Sequence, residues 1–343
     1  KEPGKEYFIH FSAETIREEP LIPAAFELAT EQIALPNETS VSVNNHTYGF
    51  PEVKLEKTKK HASVTCGKMF VKFDLLEGKL VSFVSAGTQL ISAGPEINFW
   101  KAPNDNDLGY KMHKEYAVWR HAGSSKLLRK ANAAKDESGN VVVEFEYDLP
   151  STGSRLFTTY RISGTGEIQV RNDFKSGGRE LPLIPRIGML MELPEGFEYI
   201  EWYGRGPMEN YPDRKAAAFV DRYESTVTNQ FVAYESPQEN GYKTDTRRLK
   251  IMNSSGVGIE FIGVPLFNFS TLHFTPEDLT QEVRGAMHNV DLKPRKETVL
   301  TIDYKIMGVG GIDSWGARPL MKYSIVPKDF TFTFIMKPLA EEI

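Results

Sequence analysis

Val141-Val142-Val143-Glu144-Phe145-Glu146-Tyr147-Asp148 sets Val141, Val143, Phe145 and Tyr147 at odd positions and Glu144, Glu146 and Asp148 at even ones. Successive side chains of an extended backbone point to opposite faces, so this period of two describes a strand with one dry and one wet face. The pattern returns in Glu167–Phe174, where Ile168, Val170 and Phe174 oppose Gln169, Arg171 and Asp173. It returns again near the end, where Phe330, Phe332 and Phe334 alternate with Thr331 and Thr333. Glu77-Gly78, Ser138-Gly139-Asn140, Gly164-Thr165-Gly166 and Ser176-Gly177-Gly178 punctuate these runs with turn residues. Many strands at such spacing predict a large antiparallel sandwich. An aromatic share of 11% suits half-buried pleated strands better than helices.

Two spots depart from the pattern. Met112, Tyr116 and Trp119 fall at helical spacing with Gly123 as a stop signal, and Thr275-Pro276-Glu277-Asp278 has the chemistry of a helix start. Both predict short helices that decorate loops. At the N-terminus, Tyr7–Ser12 alternates like a strand and 25–34 holds a second candidate, after which Leu35-Pro36-Asn37-Glu38-Thr39 breaks the pattern. Residues 1–38 therefore read as about two strands of a small β-sandwich, too few to close it.

Composition narrows the function. Net charge is −5 and no Lys/Arg run stands out, so nucleic acid is not an expected partner. One cysteine, Cys66, rules out an internal disulfide and a zinc site of the usual cysteine type, and leaves the compartment open. No run of about 18 apolar residues is present to span a membrane. The chain starts without Met and without an apolar signal region, as expected of a processed chain or an excised segment.

Four clusters combine Gly or Pro with carboxylate, amide and aromatic groups: Phe99–Gly109, Trp202–Arg214, Ser236–Gly241 with Arg247 beyond it, and Gly308–Gly316. Loops of this kind carry function when a rigid scaffold holds them. Asp105 and Asp107 have the spacing of the first two ligands of an EF-hand. Tyr110 stands where that loop needs glycine, however, and Tyr116 where it needs glutamate. The simpler reading is Asx side chains bonding their own backbone, with a looser oxygen-ligand site as the rival. Glu209 and Glu239 can be argued as a glycosidase carboxylate pair, or as acceptors for buried loop N–H groups, which we favour. His273 and His288 lack metal-ligand spacing. Trp315, among Gly308, Gly310, Gly311 and Gly316, offers an indole face for the apolar side of a hexose, or plugs the base of its loop.

Taken together and in this order, Trp100–Gly109, Gly204–Arg214, Pro237–Gly241 with Arg247, and Gly308–Trp315 resemble the C-terminal domain of family-2 glycoside hydrolases of the β-galactosidase type. The resemblance spans roughly residues 50–343. It implies an all-β fold, a large antiparallel supersandwich like that of galactose mutarotases. The N-terminal segment would be the incomplete tail of an immunoglobulin-like sandwich. The implied division is residues 1–38 for that tail, 39–52 for a linker and 53–343 for the supersandwich. It also implies a parent enzyme that hydrolyses terminal β-D-galactosides with retention and is a homo-oligomer. The role it passes to Trp315 is an aromatic platform in the substrate cleft. Asp313, Glu209, Asn210, Glu239, Asn240 and Arg247 would line or brace that cleft.

The catalytic glutamates and the magnesium of that family lie on a (β/α)8 barrel, and no alternating βα pattern of that kind occurs here. This chain alone is therefore expected to be inactive, to contain no catalytic residue and to hold no cofactor. Its partner would be a galactoside held together with the missing barrel. The rival readings are a free-standing carbohydrate-binding module and a mutarotase-like epimerase, for which His273 and Glu260 are the one pair to nominate.

Overall fold

The computed structural model describes residues 2, 4–36, 50–283, 285–313 and 316–339. Among these the strands form three antiparallel sheets, and the fold is all-β as expected. The largest has twelve strands. Its main path runs Phe219–Thr226, Tyr199–Gly206, Lys243–Met252, Gly258–Leu272, Phe330–Leu339, Ile168–Lys175, Ser154–Ile162, Val141–Leu149, Leu127–Lys135. A branch leaves Gly258–Leu272 through Thr298–Ile306 to Arg186–Leu193 and Ala93–Asn98. Two of the alternating segments read from the sequence are direct neighbours: Val170 pairs with Phe334, Asn172 with Phe332 and Phe174 with Phe330, while Val141–Leu149 lies one strand further along the sheet. Their dry faces share one core, where the Phe174 and Phe330 rings stack at 4.8 Å.

A second sheet, from Lys54–Lys57 to Thr88–Gln89, has five strands. Its Phe73 is fully buried, 5.0 Å from the Tyr160 ring and 6.3 Å from that of Phe145. Those two rings belong to the large sheet, so Phe73 joins the two layers. The third sheet is a hairpin of Tyr7–Glu14 and Glu27–Leu35. Ile9, Phe11 and Ile33 on one of its faces are 41%, 53% and 49% exposed, so that apolar face is left largely open among the described residues. The opposite face meets the large sheet: His10 lies edge-on to Phe219, and the Gln32 amide donates to Val220 O at 2.9 Å and accepts from Val220 N at 2.8 Å. Gln32 thus satisfies backbone groups of an edge strand.

Two helical expectations need correction. The segment around Met112 forms two short helices, Asp105–Gly109 and Met112–Glu115, and a 3-10 turn, Ala117–Trp119. It does not merely decorate a loop. Met112, Tyr116 and Trp119 are all buried, and Trp119 packs on Phe99 at 5.4 Å and Phe174 at 6.4 Å, closing one part of the core. At Thr275 the capping bonds do form: Asp278 N donates to Thr275 Oγ1 at 3.1 Å and Thr275 N to Asp278 Oδ2 at 2.8 Å. Only a turn follows, because no amphipathic run extends beyond it to bury a helical face. No helix among the described residues is long and apolar enough to cross a membrane.

One ionic knot lies inside this apolar frame. Arg186 is fully buried on Arg186–Leu193 and contacts both Glu239 and, at 3.1 Å, Asp303. Asp303 stands opposite Gly188 in the ladder, and a Cβ at Gly188 would overlap the Asp303 carboxylate. Two carboxylates thus share one guanidinium. Burial pushes the Asp303 carboxyl up to about 7; Arg186 and Tyr242 hold it down and Glu239 adds to the rise.

A raised carboxyl stabilises the fold while protonated, an advantage complete below the unfolded value of about 3.9 and lost as pH rises through the folded one. We expect Asp303 to contribute a decline in stability of up to about 1.4 kcal/mol per pH unit between about pH 4 and 7. Asp303→Asn, which mimics the protonated acid, should flatten that part of a urea-midpoint against pH profile. Parallel profiles for the two proteins would refute it. For the layer contact, Phe73→Ala should cost about 3–5 kcal/mol by chemical denaturation; a loss under about 1 kcal/mol would show that the two sheets do not depend on it.

Candidate functional site

The four sequence clusters sit at strand ends. Residues 99–109 follow Ala93–Asn98, 207–214 follow Tyr199–Gly206, 236–241 precede Lys243–Met252, and 308–313 follow Thr298–Ile306. Strand connectivity brings them to one place, where they surround an open cleft of about 650 Å³. Asn104, Asp105, Asn106, Glu209, Glu239 and Asp313 line it, with Arg214, Tyr234 and the 309–312 backbone.

The first loop is built inward. Asn104 Oδ1 accepts from Asp107 N at 2.8 Å, and the Asp107 carboxylate accepts from Asn104 N at 3.0 Å, a reciprocal cap of the short helix. Asp107 is fully buried and pairs with the equally buried Lys101 at 2.5 Å, while the Tyr110 hydroxyl donates to it at 2.8 Å. The acidic run therefore serves as cap and ion-pair partner, in line with the Asx reading. No group of three or more His, Cys, Asp or Glu gathers to hold a metal among the described residues.

Glu209 and Glu239 both line the cleft, and both are committed. Glu239 contacts Arg186 through one oxygen and accepts from Ala102 N at 3.3 Å through the other. Glu209 contacts Arg214 and the Tyr234 hydroxyl, and accepts from Gly241 N at 2.8 Å. Burial, with the Glu209 carboxylate beside it, raises the Tyr234 phenol above its usual value. These two tie loops together.

The remaining nominated residues divide. Asp313 is exposed on the rim and accepts from Ala317 N at 3.1 Å. Asn210 is fully buried; its Oδ1 accepts from Thr244 N at 2.9 Å and its Nδ2 donates to Met208 O at 3.0 Å. Asn240 is buried too, accepting from Val232 N at 3.1 Å and donating to Gln238 O at 2.9 Å. Neither amide lines the cleft. Arg247 points elsewhere: it pairs with Glu6 at 2.5 Å and lies over the Tyr203 ring, tying the N-terminal segment to the large sheet. Trp315 lies outside the described residues. Of the pair nominated for epimerase chemistry, His273 bonds Glu198 at 3.0 Å and Glu260 bonds Arg248 at 2.9 Å, so they have no partner in common.

Arg186 and Tyr234 escaped the sequence reading, and Asp213 and Arg214 stood inside a named cluster without being nominated as site residues. For Arg186 a signal existed: it is the one charge within Leu181–Leu193 before Glu192, and a cation in so apolar a run needs buried carboxylates. Nothing local marks Tyr234.

Residues 65–336 match the family described as beta galactosidase small chain. A beta-galactosidase of Priestia megaterium is 30% identical over 335 residues, covering 97% of this chain and 32% of that protein. One of Halalkalibacterium halodurans is 30% identical over 325 residues, covering 90% and 31%. One of Lactobacillus delbrueckii subsp. bulgaricus is 32% identical over 251 residues, covering 72% and 24%. The chain spans about a third or less of the length of these relatives. Among solved structures it is similar to a GalM/aldose epimerase homologue from C. elegans, with a TM-score of 0.48 and 9% identity, covering 83% of this chain and 98% of that one. With residues 65–336, four-fifths of its length, matching the family described as beta galactosidase small chain, the chain belongs to that family.

Proposed function

We propose that this chain is the C-terminal, cleft-lining part of a family-2 β-galactosidase that hydrolyses terminal β-D-galactosides with retention. The observation that carries the reading is the convergence of all four motif loops on one polar, open cleft. Its role is to position a sugar. Amide, carboxylate and hydroxyl groups offer hydrogen bonds to sugar hydroxyls, and Trp315 supplies an aromatic platform for the apolar ring face. Proton transfer and nucleophilic attack belong to a barrel elsewhere in the polypeptide, since the wall carboxylates Glu209 and Glu239 are locked in loop contacts. Magnesium, which the resemblance assigns to that barrel, is placed there as well.

Two further observations support a part of a larger enzyme. The relatives are about three times as long as the region matched. The N-terminal hairpin also leaves Ile9, Phe11 and Ile33 uncovered on one face, as expected of strands that lack their facing sheet. We accordingly place the tail of an immunoglobulin-like sandwich at residues 1–38, a linker at 39–52 and the supersandwich at 53–343.

The isolated chain should show no turnover of a chromogenic galactoside, while the longer polypeptide that carries it should be active. Turnover by the purified 343-residue chain would overturn the division of labour. In the longer polypeptide, Trp315→Ala should raise KM for galactosides about tenfold or more through lost stacking. An unchanged KM would remove Trp315 from the substrate cleft.

A further inference from the structure

We propose that Asp213 is the positioning residue that fixes the 308–313 segment on the cleft wall, an inference that rests on the galactoside-cleft reading above. The Asp213 carboxylate accepts from two successive backbone donors, Val309 N at 3.0 Å and Gly310 N at 2.9 Å, one on each oxygen. Consecutive N–H groups converge on one anion only where the chain curls into a nest. Gly310 and Gly311 take φ of +77° and +107°, the region glycine enters without a Cβ clash. The backbone presses so closely on this carboxylate that a Cβ at Gly308 would overlap it. From the opposite side Asn104 Nδ2 donates to Val309 O at 3.0 Å. With its amide turned to match its neighbours' donors and acceptors, Asn106 accepts from Gly311 N at 3.0 Å and donates to Asp313 O at 3.2 Å.

Asp213 is itself held rigidly. Its turn is closed by Tyr211 N to Arg214 O at 3.1 Å and Arg214 N to Tyr211 O at 2.9 Å. Tyr211 is buried and stacked on Tyr242 at 5.6 Å, and Arg214 contacts Glu209. The turn is therefore anchored to the core on one side and to the cleft on the other. Asp213 does not line the cleft, whereas Val309 to Asp313 do. Its influence on a ligand passes through the segment it clamps, which makes it a positioning residue and not a catalytic one.

The test uses the longer polypeptide with Asp213→Ala, Asp213→Asn, Gly308→Ala and the double variant D213A/G308A. The readouts are KM and kcat on a chromogenic galactoside and amide hydrogen exchange over residues 308–313. In D213A we expect KM to rise about tenfold with kcat within about twofold, because binding is lost in ground and transition states alike. Exchange should accelerate in 308–313 and not across the sheet. D213N keeps one acceptor and should fall between wild type and D213A, which also serves if D213A folds poorly. Gly308→Ala should raise KM on its own and add little in the D213A background, since removing the carboxylate removes the overlap. Unchanged exchange at 308–313 in D213A, or a fall in kcat at constant KM, would overturn the proposal. If the unmutated longer polypeptide turns over no galactoside, the galactoside reading fails separately. The exchange arm then still decides the clamp, with faster local exchange upholding it and unchanged exchange refuting it.

Discussion

The cleft exists because side-chain oxygens replace sheet partners for backbone N–H groups that the sheet cannot reach. A buried N–H left unpaired costs about 1–3 kcal/mol. Four irregular loops meeting at one end of a sandwich would carry several such groups. Here Glu239 takes Ala102 N, Glu209 takes Gly241 N, Asn210 takes Thr244 N, and Asp213 takes Val309 N and Gly310 N. Each bond joins one loop to another, or to the strand that follows it. Loop geometry is thus specified by these polar contacts together with the packing of Tyr211, Tyr242 and Val309 beneath them. The same contacts occupy Glu209 and Glu239, so the cleft-lining carboxylates are also part of the wall's architecture.

Behind the wall, buried cations set how those carboxylates stand. Arg186 joins Glu239, which lines the cleft, to Asp303 on the strand Thr298–Ile306, and Gly188 leaves the room that Asp303 occupies. Loop orientation and strand register are therefore coupled through one guanidinium. Lys101 and Asp107 repeat the device under the first loop. Buried pairs of this kind add little net stability against apolar replacements, but removing one partner strands a charge at a cost of about 3–5 kcal/mol. Their consequence here is a penalty on any arrangement of the cleft-facing loops that parts these pairs.

The strands were legible because period-two alternation is local and the tertiary structure agrees with it: Phe145, Val170, Phe332 and Phe334 all point into the core. The capping chemistry at Thr275 was legible too, yet its bonds close only a turn. A cap fixes where a helix can start, and an amphipathic face must follow to sustain it. At Met112 the spacing was right and the role understated, since burial of Trp119 against Phe99 and Phe174 depends on partners distant in sequence. Glu209 and Glu239 could be read as loop acceptors from their Pro and Gly neighbours. The Asp213 clamp could not, because its donors lie 96 and 97 residues away. Arg247 belonged to a recognisable motif, but its partner Glu6 is 241 residues off and draws it away from the cleft.

A wall made this way suits positioning better than reaction. Its geometry must stay within fractions of an ångström to favour one ligand pose, and contacts closed on themselves provide that at the cost of reactive freedom. Groups that move protons need the reverse: a carboxyl with a shifted affinity and an open lone pair facing the substrate. Asp303 has the shifted affinity, but it is sealed in the core between Arg186 and Gly188. Among Glu209, Glu239 and Asp303, then, none has both properties. On the proposed reading this divides the labour by physical requirement. A β-sandwich rim holds the sugar through fixed backbone and amide geometry, and a separately folded unit, free of those loop contacts, keeps its carboxylates available for bond cleavage.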